Sequence, residues 1–296
     1  MKEFVAAGIQ FAIKPNDIEE NIKRSLFWLE KAVKEHEAEL IVFPETITTG
    51  FTPGMSIREF WKILDYIPGK TTEPICEAAN KYGVHVVYTT YERGENEDTV
   101  YNTAILINDE GKIIGKYRKT HPFPTERKEG GGWTTPGDKA DVFDTKLGKI
   151  GMIICYDGDF PELCRVEAIK GAEIIVRPSA LLRSYDIWQF VNQARAYDNH
   201  VYFIAVNSVG SDAGGSYYFG SSMIIDPTGW KLAQARGCDE IISAKLNPDP
   251  IKYVSHGTKS PMIFDHLEDR NINVYKEILT EAKSPFEPSK RIPYKR

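Results

Sequence analysis

Three segments of this sequence carry a reactive side chain to the point where an apolar run gives way to a loop. Leu40-Ile41-Val42-Phe43-Pro44 leads to Glu45, and Gly115-Lys116-Tyr117-Arg118 leads to Lys119. Ile150-Gly151-Met152-Ile153-Ile154 leads to Cys155. In α/β folds, ligand sites gather at such strand ends. A thiol can attack an electrophilic carbon, and a carboxylate can carry protons. Taken singly, each residue also has a plainer account. Glu45 reads as a loop carboxylate in water, Lys119 as a solvated lysine in a basic cluster, and Cys155 as a small apolar filler. The cysteine has the richest setting. Pro161 follows six residues on and suits the first turn of a helix. A thiol just ahead of a helix N-terminus feels a positive dipole, which favours thiolate. Cys76 and Cys164 fall in predicted helices and Cys238 follows a loop glycine, so none shares that setting.

The elements that must hold these residues follow from hydrophobic periodicity. Phe4–Ile13 reads as a buried strand. Ile18, Ile22, Leu26, Leu29 and Val33 fall at helical spacing over 18–36. Leu40–Phe43 is a short buried strand, Thr71–Tyr82 a helix and Val84–Tyr91 a strand. Tyr101–Ile107 and Lys112–Lys119 form a hairpin across Asn108-Asp109-Glu110-Gly111. Residues 120–139 hold three prolines and four glycines and predict a long loop of the kind that is often functional. Strands follow at Val142–Asp144 and Lys149–Cys155. Pro161–Lys170 is a helix, Ile174–Arg177 a strand, Asp186–Asn199 a helix and Val201–Asn207 a strand. Met223–Asp226, Lys231–Ala235 and Glu240–Leu246 complete the strand run. One helical stretch is expected near Asp265–Lys283. Helices and strands alternate while hairpins intervene, which predicts α/β with mixed sheets. Residues 1–247 read as one domain, and 248–296 as an arm that packs on the domain or on a neighbouring subunit.

The chain has 296 residues, 42% hydrophobic and 27% charged, which excludes disorder and fibrous repeats. Its net charge of −5 argues against a nucleic-acid partner. Four scattered cysteines make neither a disulfide framework nor a zinc site. No apolar stretch reaches the ~20 residues of a membrane span, and the N-terminus lacks a secretory pattern. The expected setting is cytoplasmic.

Phe43-Pro44-Glu45, Lys119 entering a loop, and Cys155-Tyr156-Asp157 followed by Phe160-Pro161-Glu162 together resemble the nitrilase superfamily of carbon–nitrogen hydrolases. The resemblance runs from the first strand to about Asn247. It implies a single-domain, four-layer α-β-β-α sandwich, a Glu45–Lys119–Cys155 triad, no metal or cofactor, and homodimers or higher homo-oligomers. A second glutamate is implied in the loop ahead of Pro136-Gly137. Spacing favours Glu129, with Glu126 as the alternate, because Gly130-Gly131-Gly132 resembles an insertion. His121 reads as structural. The chemistry implied is thiolate attack by Cys155 on an amide carbonyl, with Glu45 carrying the proton and Lys119 and the Tyr156 N–H at the oxyanion.

Tyr156-Asp157 stands where true nitrilases have Trp-Glu, which points to amidases. Gly158-Asp159, the run 171–177, Ala194–Asn199 and Tyr218–Ser222 resemble the aliphatic amidase and formamidase branch. Phe51, Phe123, Trp133 and Tyr156 are expected to wall the pocket of a small, aliphatic carboxamide. The runner-up is an N-carbamoyl amino acid amidohydrolase, with Arg177 or Arg183 holding the carboxylate. A non-catalytic scaffold relative is the further alternative.

Overall fold

A computed structural model describes residues 1–253 and 262–294. In chain order the strands are β1 (Phe4–Gln10), β2 (Leu40–Val42), β3 (His85–Arg93), β4 (Val100–Ile107), β5 (Ile113–Arg118), β6 (Val142–Thr145) and β7 (Gly148–Met152). They continue with β8 (Ile174–Ser179), β9 (Tyr202–Asn207), β10 (Val209–Ser211), β11 (Tyr217–Phe219), β12 (Met223–Ile225), β13 (Lys231–Gln234) and β14 (Glu240–Leu246). The helices are α1 (Ile18–His36), α2 (Ile57–Ile63), α3 (Glu73–Tyr82), α4 (Pro161–Ile169) and α5 (Tyr185–Asn199).

The strands form two six-stranded mixed sheets, ordered β14-β1-β2-β3-β4-β5 and β13-β12-β9-β8-β7-β6, with β10-β11 as a separate hairpin. The first sheet follows the period of two. Phe4, Ala6, Leu40, Val42, Val87, Ala104 and Leu106 point into the core shared with the second sheet. Their neighbours Ala7, Ile9, Ile41, Val86, Ile105 and Ile107 point the other way, under α1 and α3. The central strand β8 opens on the unbroken apolar run Ile174-Ile175-Val176, as expected of a parallel strand covered on both faces. Layers of helix, sheet, sheet and helix result, which is the sandwich the resemblance implied. At Gly8 the sheets come so close that a Cβ would lie 2.9 Å from Val206 Cγ2.

Two local expectations are corrected, and two elements appear that the sequence reading did not include. The stretch Asp265–Lys283 is not an α-helix; it holds two short 3-10 turns, Ile272–Val274 and Lys276–Leu279. Asn271 accepts from the Asn273 N–H, a local bond that competes with helix formation. Helix α2 and the β10-β11 hairpin were not anticipated. Seven residues (α2) and three-residue strands give too little periodicity to register, although Ser56 and Glu59 do form a capping box. The second-sheet strand ends at Met152 rather than Cys155.

Candidate active site

Glu45 lies just beyond β2 and is 1% exposed. Its Oε1 accepts from Lys119 Nζ at 2.8 Å and from Asn102 Nδ2 at 2.7 Å. Its Oε2 accepts from the Ala180 N–H at 2.7 Å. Ala180 follows β8, so a backbone donor of the second sheet holds the carboxylate of the first. Lys119 follows β5 and is fully buried. Its backbone N–H donates to Asn102 O at 2.9 Å, and its Nζ also donates to Glu126 Oε1. Burial alone would lower the lysine pKa, but the carboxylates of Glu126 and Glu45 outweigh it and hold the ammonium above its ordinary range.

The second carboxylate beside Lys119 is thus Glu126, the alternate reading, and not the favoured Glu129. Glu126 is fully buried in a 3-10 turn, Pro124–Glu126, where it accepts from the Phe123 N–H at 2.7 Å and Thr134 Oγ1 at 2.8 Å. Glu129 sits exposed in the following turn, Lys128–Gly130. The three glycines upset the spacing argument because they let the loop fold back on itself. The Gly132 N–H donates to Arg127 O at 2.8 Å, and a Cβ on Gly132 would come within 2.2 Å of the Glu126 carbonyl carbon. Burial and the nearby charge of Glu45 push the Glu126 carboxyl up, against the pull of Lys119.

Cys155 opens a 3-10 turn, Cys155–Asp159, between β7 and α4. Its φ of +47° is in the left-handed region, which costs a non-glycine residue about 1–3 kcal/mol and needs support from its surroundings. Part of that support is Arg177, whose Nε donates to the Cys155 carbonyl at 2.7 Å. The helix dipole expected to favour a thiolate does not reach Cys155. The helix starts only at Pro161, and a dipole fades within its first turn. Burial and the charge of Glu45 push the thiol up to about 12, with Lys119, Arg177 and the Ala180 N–H pulling the other way. Its surroundings therefore favour the thiol over the thiolate.

Phe51, Phe123 and Trp133 share one apolar cluster with Ala180 and Tyr218, and Tyr156 meets Phe123 edge-on at 5.2 Å between ring centroids. The Phe51 ring lies 5.2 Å from Lys119 Nζ. The four aromatic residues picked from sequence therefore gather beside the charged cluster. Of the two arginines, Arg177 is buried and committed to Cys155 O, Asn192 Oδ1 and Asp159 Oδ1. Arg183 is 31% exposed, pairs with Asp159 Oδ2 at 2.7 Å, and lies over the rings of Phe123 and Tyr156. His121 stacks on Phe160 with centroids 3.9 Å apart and contacts Asp157. Asn102 was missed, although an asparagine inside Val100–Ile107 is out of place in a buried strand and was a readable signal.

The carbon-nitrogen hydrolase family pattern matches residues 5–253. The chain belongs to the carbon–nitrogen hydrolase family. It is similar to a probable nitrilase, C965.09, of Schizosaccharomyces pombe, 32% identical over 93% of this chain and 98% of that protein. The omega-amidase NIT3 of Saccharomyces cerevisiae is 32% identical over 83% of this chain and 88% of its own. The crystal structure of that yeast Nit3 superposes with a TM-score of 0.76 over 84% of this chain and 91% of that one, at 31% identity. A formamidase of Bacillus cereus is 34% identical over 83% of this chain and 74% of that protein. Among the described residues, no helix of this carbon–nitrogen hydrolase is long and apolar enough to cross a membrane.

Proposed function

We propose that this carbon–nitrogen hydrolase is an amidase that converts small, chiefly aliphatic, carboxamides to the carboxylic acid and ammonia through a thioester on Cys155. The observation that carries the reading is the water-excluded cluster in which Lys119 bridges Glu45 and Glu126 beside the buried Cys155. Glu45 takes the Cys155 proton as sulfur attacks the carbonyl carbon. The carbon–oxygen π pair moves to oxygen, where the Lys119 ammonium and the Tyr156 N–H meet it. Collapse breaks the C–N bond, Glu45 returns its proton to nitrogen, and ammonia leaves. Glu45, again a carboxylate, takes a proton from water as it attacks the thioester, then hands it to the departing sulfur. Glu126 keeps the Lys119 ammonium charged and fixed. The names of two relatives, omega-amidase and formamidase, agree with a small amide substrate.

A second reading has one observation in its favour. Arg183 offers a partly exposed guanidinium above Tyr156 and Phe123, where the carboxylate of an N-carbamoyl amino acid or of glutaramate would pair with it. Arg177 has no capacity left for that task. Ammonia release from formamide, acetamide, propionamide, glutaramate and N-carbamoyl amino acids separates the two readings. Turnover confined to carbamoyl substrates would reject the simple-amide reading. Cys155→Ala is expected to abolish turnover in a folded protein, and full activity in that variant would reject the mechanism. The arm, with Leu279 93% and Phe286 83% exposed, is proposed to pack on a second copy in a cytoplasmic homo-oligomer.

A further inference from the structure

Asp157 is fully buried two residues after Cys155, and both its oxygens are saturated. Oδ2 accepts from the Ile154 N–H at 2.9 Å and from Tyr117 Oη at 2.7 Å. Oδ1 accepts from the His121 N–H at 2.8 Å and from Thr120 Oγ1 at 3.1 Å, with His121 Nδ1 at 3.0 Å. One end of this set is the peptide preceding the nucleophile. The other end is the segment 117–121, which straddles Lys119. The two ends arrive from different sheets, β7 and β5.

We propose that Asp157 is a positioning residue that fixes the Cys155 turn against the Lys119 segment, setting where the sulfur stands relative to the ammonium and Glu45. It touches no reacting atom. It acts by holding the Ile154 N–H on one side of the left-handed Cys155 while Arg177 holds the Cys155 carbonyl on the other. A carboxylate is required because each oxygen faces a backbone N–H, a donor that cannot reverse. An asparagine in either orientation sets its NH2 against one of them. The resulting unpaired buried donor is relieved by movement of the turn or of segment 117–121, and displacements near 1 Å can cost about 100-fold in rate.

This inference rests on Cys155 being the nucleophile, and its test separates the two. Asp157→Asn is expected to lower kcat by about 100-fold while KM stays within about twofold, because the pocket walls are untouched. In the same folded variant, iodoacetamide labelling of Cys155, followed on its own peptide by mass spectrometry, is expected to slow by about tenfold or more. A merely structural aspartate would leave both readouts in place and show only a lower Tm. Tyr117→Phe removes one of the bonds to Asp157, together with the Tyr117 Oη contacts to Thr120, and leaves the Ile154 contact, so a fall of about threefold to tenfold in kcat is expected. If Asp157→Asn does not fold, Tyr117→Phe and Thr120→Val decide, and unchanged kcat and labelling in both overturn the proposal. A fully active Asp157→Asn beside an inactive Cys155→Ala overturns the role of Asp157 alone. An active Cys155→Ala overturns the reading beneath it.

Discussion

Two buried acidic sites flank the Cys155 turn and meet the cost of desolvation in opposite ways. Glu45 and Glu126 are paired through Lys119 and hydrogen-bonded at both oxygens, so a cation and several donors offset the cost of their burial. Glu167, on α4 beneath β7, is equally buried, but among the described residues neither oxygen makes a well-formed hydrogen bond, and the Met152 amide gives it only weak support. Burial first, and the nearby Asp157 second, push Glu167 well above the ordinary 4.5, which favours its neutral form. The difference shows that equally deep carboxyl groups can receive very different polar support.

The comparison breaks most visibly at Lys119. Lys119→Met leaves two carboxyl groups facing one another without a cation. Removing one partner of a buried pair costs about 3–5 kcal/mol, so a large fall in Tm by calorimetry is expected along with loss of ammonia release. A stable, active variant would mean that the pairing is incidental. The next effect separates two glutamates three residues apart. Glu126→Gln is expected to lower kcat by at least about tenfold, whereas Glu129→Gln is expected to stay within about twofold of the parent. The reverse order would return the second glutamate to Glu129.

The smallest effect is at Glu167 and appears only as a pH dependence. Its folded pKa lies above the unfolded one, so its contribution to stability is complete at acid pH and is lost as pH rises through the folded value. Tm measured from pH 5 to 9 should therefore fall more steeply in the parent than in Glu167→Gln, with the curves converging at the acid end. Parallel curves would show that Glu167 is not the neutral acid its surroundings imply.

Much of this was legible in the sequence, for reasons that differ by residue. Glu45, Lys119 and Cys155 could be read because each stands where a strand gives way to a loop and their three motifs together resemble the nitrilase superfamily. Their electrostatics could not be read. The thiol is favoured by burial and by Glu45, residues apart by more than a hundred positions, and not by the nearby helix. Glu126 lost to Glu129 because counting residues ignores a loop that glycine allows to reverse. Asp157 stood in plain view inside the motif, yet its partners at 117–121 come from another sheet, and no local pattern announces a contact of that range. The C-terminal stretch misled because scattered Ile, Val and Leu resemble a helical face when the local Asn271 turn bond is overlooked.

The Ala180 N–H that binds Glu45 is a main-chain donor. No change of side chain at position 180 removes it, with proline the single exception. The link between Glu45 and the sheet opposite is thus nearly immune to point substitution. Variation at 180 is free to reshape the apolar wall beside Phe51 and Tyr218, and with it, on the proposed function, the choice of substrate, while the Glu45 contact stays where it is.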